Sequence, residues 1–259
     1  MADLDYKVEN GIGTILLNRP HRKNAFTLDM LDHWAAALRA ARTDPEVRVV
    51  LVTGADGAFC AGVDLDDFAE ITTTLGRQEV LQNRVHRVAA AALELDKPLI
   101  AAVDGVAVGA GMDMALACDI RLASTRARFS EGYVRVGLIP GDGGAHLLPR
   151  IVGQARALEL LWTGRFVEAQ EALDLGIVLA LHSPDELADA AADLCRRLTA
   201  GPPVAIRAIK RLVRNGERVD FMTSLSMVAS EQAVVQSTKD SAEAVQAFRE
   251  KRAPIFIDA

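Results

Sequence analysis

Two short turns carry small residues where backbone N–H groups can stay open. Phe59-Cys60-Ala61-Gly62-Val63-Asp64-Leu65 and Gly105-Val106-Ala107-Val108-Gly109-Ala110-Gly111 each follow an apolar strand-like run and precede a helical pattern. A pair of backbone donors, one at a helix N-terminus whose dipole favours negative charge, can hold an oxyanion that develops on a carbonyl when a proton leaves the adjacent carbon. Read on glycine spacing alone, the plainer account is tight strand-to-helix turns with no ligand. Asp113 falls in the first turn of the helix beginning near Gly111, so it is read either as a proton carrier or as a charge that offsets the dipole.

Other chemistries lack their residues. Gly109–Met114, GAGMDM, begins like a dinucleotide fingerprint, but Met114 occupies the third-glycine place and no strand ending in an acid follows at the required distance. There is no GxxxxGK[ST] phosphate loop and no GxSxG nucleophile elbow, and His21, His33, His86, His146 and His182 are scattered without metal-ligand spacing. No metal is expected. His146 is the histidine nearest the glycine turns and is read as packing or capping.

The elements that must position these residues alternate between Val/Ile/Leu-rich runs and helical periods, the pattern of an α/β fold. Tyr6–Val8 and Thr14–Asn18 are expected as a hairpin over Asn10-Gly11, followed by a helix over Leu28–Ala41 capped by Thr27 and a strand over Val47–Thr53. The loop 54–67 then lies at a strand's C-terminal end, where open α/β sheets place ligands. Further strands are expected at Pro98–Asp104, Asp119–Ala123 and Ile177–Leu181, with helices at Met112–Cys118, Gly144–Ile151, Ala155–Thr163 and Val167–Leu175. After Ser183-Pro184 the pattern is almost purely helical: Asp185–Leu198, Val204–Asn215, Glu217–Gln236 and Lys239–Glu250. Gly201-Pro202-Pro203 marks the boundary between residues 1–200, an α/β core with the site, and 201–259, a helical oligomerisation subdomain.

A chain of 259 residues, half of them apolar, can bury a substantial core without staples. Cys60, Cys118 and Cys195 are odd in number and lack CxxC spacing, so they are read as reduced and packed. Trp34 and Trp162 are read as core. The polar, acidic start MADLDYKVEN and the lack of a long apolar run point to a cytoplasmic protein with no membrane segment. A formal charge of −6 without a Lys/Arg cluster gives no footprint for nucleic acid, while leaving room for local basic patches against a phosphate-bearing ligand.

Several fragments occur together and in order: LNRPHRKNAF at Leu17–Phe26, AFCAGVDL at Ala58–Leu65, KPLIAAVDGVAVGAGMDMALACDIRLAS at Lys97–Ser124, VGLIPGDGG at Val136–Gly144 and AFREKRAPIF at Ala247–Phe256. Each alone is weak, but the set spans nearly the whole chain and closely resembles the crotonase (enoyl-CoA hydratase/isomerase) family. The resemblance implies an α/β fold, a crotonase-like spiral of ββα/βαβ turns with a C-terminal helical subdomain, assembled as a homotrimer or homohexamer. It also implies an acyl-CoA substrate with coenzyme A as part of it and no tightly bound cofactor. By position, the N–H groups of Val63 and Ala110 would be the oxyanion donors. The nucleotide end of coenzyme A would lie near Lys23, Ala25, Ala61, Asp64 and Leu65, and Phe256 would reach a neighbour's ligand.

The acids depart from that family's pattern. Its hydratases carry two catalytic glutamates, and the matching places hold Asp113 and Tyr133. A phenol with an ordinary pKa of about 10 is a poor base near neutrality, so Tyr133 is read as a substrate-orienting hydroxyl or as a pocket wall whose hydroxyl meets water. Two acids could compensate: Glu131, read first as a surface charge, and Asp142, read first as the N-cap of a helix over Gly143–Leu148. An enoyl-CoA hydratase/isomerase is the leading expectation, with isomerase-like proton transfer favoured because one carboxylate can carry a proton between two carbons. The alternatives are a non-catalytic acyl-CoA-binding protein and a CoA-thioester hydrolase or decarboxylase on the same scaffold. Ile71–Val88, with Phe68, Leu75 and Leu81, is expected to shape the acyl pocket or to be helix core.

Overall fold

Asn10 and Gly11 turn the chain with φ of 51° and 80°, the left-handed pair that a two-residue hairpin turn requires. They join β1 (Leu4–Glu9) to β2 (Ile12–Leu17) in antiparallel register, Leu4 opposite Leu17. The computed structural model describes residues 2–69 and 71–257. In chain order the remaining strands are β3 (Val49–Gly54), β4 (Leu99–Val103), β5 (Val106–Val108), β6 (Ile120–Ser124), β7 (Arg128–Ser130), β8 (Val167–Glu168) and β9 (Ala180–His182). The larger sheet has the order β1-β2-β3-β4-β6-β9, parallel from β2 onward; the smaller has the order β5-β7-β8.

Strand β4, Leu-Ile-Ala-Ala-Val, is buried at every position and lies at the centre of the large sheet. A central parallel strand covered on both faces has no polar alternation, which its sequence obeys. One face meets the main core, where Phe26, Trp34, Phe59 and Phe129 are almost wholly enclosed. The other face is covered by the helix Leu187–Thr199, whose Leu187, Ala191 and Cys195 pack on Ala102, Leu122, Val49 and Ile100. All three cysteines are buried and free.

The chain winds as a spiral. From β4 it passes Gly105 into β5, then a helix (Ala110–Leu116), then β6 and β7, repeating a strand in each sheet before each helix. The turn after β3 joins the same ladder by two isolated parallel bridges, Cys60 to Ala107 and Phe26 to Val63. Strands β5, β7 and β8, two or three residues each, were not expected from the sequence. The expected helix over Val167–Leu175 is β8 followed by Ala169–Asp174.

Thr27 caps the helix Leu28–Thr43 as expected, its hydroxyl accepting from Met30 N at 3.2 Å. The segment after Phe68 contains a helix (Thr74–Val80), a π turn (Leu81–Val85) and a second helix (His86–Glu94). The last helices are Pro203–Gly216, Phe221–Gln236, opened by an Asp220 cap rather than at Glu217, and Lys239–Glu250. Trp34 is core, but Trp162 is 69% exposed, because its helix (Gln154–Thr163) buries only Ala157 and Leu160. No described helix is long and apolar enough to cross a membrane.

Candidate active site

The site is built from loops that leave the C-terminal ends of neighbouring parallel strands, where a sheet of this kind offers open backbone and a crevice. The first two are the turns 59–65 and 105–111. In the Phe26–Val63 bridge, Phe26 N donates to Gly62 O and Asp64 N donates to Phe26 O, each at 2.9 Å. Adjacent peptides in a parallel ladder face opposite ways, so the Val63 N–H points away from Phe26. Ala110 begins its helix and has no carbonyl four residues back to accept from it. Neither N–H is donated to another group among the described residues.

Close approach holds these turns together. Gly62 has φ of +94°, and a Cβ there would stand 2.9 Å from Val108 O and 3.6 Å from Ala110 N. A Cβ on Gly111 would strike the Cys60 carbonyl. Only hydrogen fits at either position, which explains the two glycines physically.

The acids meet behind the second turn. Asp113, completely buried, accepts from Tyr133 Oη at 2.6 Å and from Asp142 N at 3.2 Å, both on Oδ2. Asp142 Oδ2 is 3.0 Å from the same Tyr133 oxygen. Glu131 is 1% exposed and has no N–H donor on either carboxyl oxygen. A Cβ on Gly144 would collide with Asp113 Oδ1 and stand 2.8 Å from both Glu131 oxygens, so that glycine lets the two carboxyls approach.

These distances assign protons. Burial pushes the Glu131 carboxyl up to about 10, and the Asp113 charge and hydrogen bond add to the rise. Asp113 is also raised by burial, but hydrogen bonds from Tyr133, Glu131 and the Asp142 and Gly144 backbone oppose it. Asp113 has the donors and Glu131 has none, so of the two Asp113 is the carboxyl whose ionised form is stabilised and Glu131 the one that favours the proton. One phenol hydrogen cannot serve two acceptors at once. Tyr133 therefore gives its O–H to the nearer Asp113 and accepts from Asp142 when that acid is protonated. Asp142 is pushed up to about 7, first by burial and then by the Asp113 charge. Burial and the same carboxylates drive Tyr133 far above the ordinary phenol range, so it acts as a hydrogen-bond donor and bridge rather than a base.

Three sequence expectations are corrected here. Glu131 is an enclosed acid, 1% exposed, and shares with Asp113 the space that the missing Cβ of Gly144 leaves open. Asp142 is not an N-cap: Gly143 occupies that place without a side-chain bond, and the Asp142 carboxyl points to Tyr133. The Tyr133 hydroxyl is satisfied by carboxyls, and its ring lies 3.7 Å from where a Cβ on Gly109 would stand. His146 is exposed and lines a cavity of about 480 Å³ together with Ala89, Leu93, Ala117, Asp142 and Leu147. His86 was missed: its Nε2 lies 2.8 Å from Gly141 O, a contact across 55 residues that local patterns cannot reveal. Leu81 also reaches the acid loop, 3.5 Å from the position of a Cβ on Gly141; Leu75 is 64% exposed.

Lys23, Ala25, Ala61, Asp64 and Leu65 fall on one edge, where Ala61 N donates to Lys23 O at 3.0 Å. The Asp64 carboxylate is taken by Arg19 at 2.7 Å, which holds it below the ordinary carboxylate range, and it also caps Asp66 N. Lys23 and Leu65 are exposed, as is the Arg22–Asp66 pair beside them. Phe256 is elsewhere in the chain. Its carbonyl accepts from Arg48 Nη2 at 3.1 Å, and Arg48 N donates to Gly11 O at the N-terminal ends of β2 and β3, opposite the site. No group of three His, Cys, Asp or Glu residues suited to a metal ion occurs among the described residues.

Comparison with known proteins places the chain in a family. A family model described as enoyl-CoA hydratase/isomerase matches residues 7–259. The short-chain-enoyl-CoA hydratase of Clostridium acetobutylicum is 36% identical over 94% of this chain and 93% of its own. The 1,2-epoxyphenylacetyl-CoA isomerase of Escherichia coli is 37% identical over 96% of each chain. A crystal structure of an enoyl-CoA hydratase from Bacillus anthracis superposes with a TM-score of 0.95 at 33% identity, covering 100% of both chains. This chain therefore belongs to the enoyl-CoA hydratase/isomerase family, the crotonase superfamily, whose members act on coenzyme A thioesters.

Proposed function

We propose that the protein shifts the double bond of an enoyl-CoA thioester by proton transfer, with fast hydration disfavoured. The thioester oxygen sits between the Val63 and Ala110 N–H groups. Asp113 takes a proton from C2 of a 3-enoyl chain, and the electron pair passes to the carbonyl oxygen as a dienolate. Return of the proton at C4 gives the 2-enoyl product, with no net change in atoms. Backbone donors held in place by the protein stabilise such a charge without reorganising.

The observation that carries this reading is the Asp113–Tyr133–Asp142 chain, with contacts of 2.6 and 3.0 Å. It offers one carboxylate supplied with hydrogen-bond donors, one neighbour able to exchange a proton near neutrality and one phenol that stays protonated and so offers water no base. Hydration needs a second group acting on water, and Tyr133 stands where that group would be. Similar relatives are named for hydration and for isomerisation, so identity does not choose between the two.

The acyl group runs past Asp142 toward the cavity of about 480 Å³ under the helix His86–Glu94. The nucleotide end of coenzyme A lies along Lys23, Ala25, Ala61 and Leu65. Asp64 acts there through Arg19, anchoring the turn. No tightly bound cofactor is required. The helices from Pro203 onward form an oligomerisation subdomain: Phe221–Gln236 buries no residue within the chain, and Phe221, Met222 and Phe248 are 74, 71 and 84% exposed. Light scattering is expected to give a trimer or hexamer, in which Phe256 could meet a neighbour's ligand.

The test is product analysis. Purified protein given 3-enoyl-CoA should form 2-enoyl-CoA faster than it forms 3-hydroxyacyl-CoA from crotonyl-CoA. Rapid hydration with no isomerisation would reject the isomerase reading, and release of free thiol or carbon dioxide would reject both.

A further inference from the structure

We infer that His86 is a positioning residue that sets the charge on Asp113 through a single peptide group. The inference rests on the reading of Asp113 as proton carrier. The peptide joining Gly141 to Asp142 is held at both ends: its carbonyl accepts from His86 Nε2 at 2.8 Å, and its N–H donates to Asp113 Oδ2 at 3.2 Å. No described peptide is cis. In a planar trans peptide the C=O and N–H point in opposite directions, so fixing one fixes the other.

The clamp is needed because the peptide would otherwise turn easily. Gly141 has no Cβ, so rotation about its backbone meets little steric resistance. His86 begins a helix immediately after the π turn Leu81–Val85, and Leu81 at the other end of that turn also lies against Gly141. A single wide turn thus presents a donor and an apolar side chain to the same glycine, and π turns of this sort recur at functional sites.

Because a carbonyl only accepts, His86 must donate from Nε2. Neutral imidazole with hydrogen on Nε2 and imidazolium both do so, and the clamp holds in either state. The groups facing Asp113 are Glu131, Tyr133 and the Asp142 carboxyl and N–H; those facing Asp142 are Tyr133, Asp113, Cys60 and His86. All but His86 are acidic or neutral, so losing His86 removes both a donor relay to Asp113 and the positive charge available to Asp142.

The experiment separates these two effects. The protein is labelled with aspartate enriched in carbon-13 at the side-chain carboxyl, with the Asp113 signal assigned by Asp113→Asn, and titrated as wild type, His86→Phe and His86→Gln. Phenylalanine removes the donor, whereas glutamine keeps an uncharged N–H. The expected result is an Asp113 midpoint about one pH unit higher in His86→Phe, an equal shift in the acid limb of kcat for α-proton exchange, little change in KM, and recovery in His86→Gln. An unshifted Asp113 midpoint in His86→Phe, or the same shift in both variants, would overturn the clamp. The carboxyl titration needs no turnover, so a wild type without exchange would reject the proposed reaction while leaving this result readable.

Discussion

Tyr133 Oη lies 2.6 Å from Oδ2 of the completely buried Asp113, and this bond joins the two positions at which the resemblance to hydratases leads one to expect paired glutamates. A phenol there stabilises the ionised form of Asp113 against its burial and links it to Asp142 at 3.0 Å. Tyr133→Phe should fold, lose about 1–2 kcal/mol of stability through the buried acceptors left unpaired, and exchange α-protons on the order of 10- to 100-fold more slowly. Denaturant melts together with exchange rates in deuterated water check both parts.

Glu131 gives a stability prediction with a definite sign. Its carboxyl rises from 4.5 to about 10 on folding, so the native state binds the extra proton between those values and stability falls as pH rises through that window. Glu131→Gln removes the slope. Little gain is expected at pH 4.5, and on the order of 2–3 kcal/mol near pH 7. Urea midpoints at pH 4.5, 7 and 8 measure it, and a gain independent of pH would contradict the assignment of the proton.

Gly144→Ala should damage the site more than the fold. The added methyl would collide with Asp113 Oδ1 and crowd both Glu131 oxygens, and overpacking of this kind costs about 1–3 kcal/mol. Since Asp113 is the group displaced, the loss of exchange activity is expected to exceed tenfold while circular dichroism is retained. Full activity with a normal melt would show that the carboxyl pair is not needed.

Ala89 lines the cavity beyond Asp142. Ala89→Phe should leave kcat/KM for a four-carbon enoyl-CoA within about threefold and reduce it for an eight-carbon chain by 10- to 100-fold, given that each lost methylene contact is worth about 0.8 kcal/mol. A chain-length series of substrates tests where the acyl group runs.

Local signals made much of the fold legible from sequence. Asn10-Gly11 declared the hairpin and Thr27 the start of its helix, while the apolar run within Pro98–Asp104 declared a strand. The short strands β5, β7 and β8 were not legible, because two or three residues carry no period and exist only through pairing partners distant in the chain. The glycine turns marked candidate open N–H groups with Asp113 beside them, while Tyr133 was placed only through the family resemblance. The readings of Glu131 as a surface charge and Asp142 as an N-cap failed for a shared reason, though both were also candidates for a second acid: their environment is made by Gly144, Asp113 and Tyr133 after folding, and no local pattern distinguishes an enclosed carboxyl from an exposed one. His86 was invisible for the same reason, since its partner Gly141 is a backbone carbonyl on another loop.

The central claim is that Asp113 carries the proton of an enolate held by Val63 and Ala110. The most direct test is α-proton exchange by NMR, with a 3-enoyl-CoA in deuterated water, for wild type and Asp113→Asn. Wild type should incorporate deuterium at C2 and C4 and form the 2-enoyl thioester, and the variant should bind the substrate but exchange at least about 100-fold more slowly, the usual worth of a positioned acid–base group. An Asp113→Asn protein that exchanges at the wild-type rate would contradict the account.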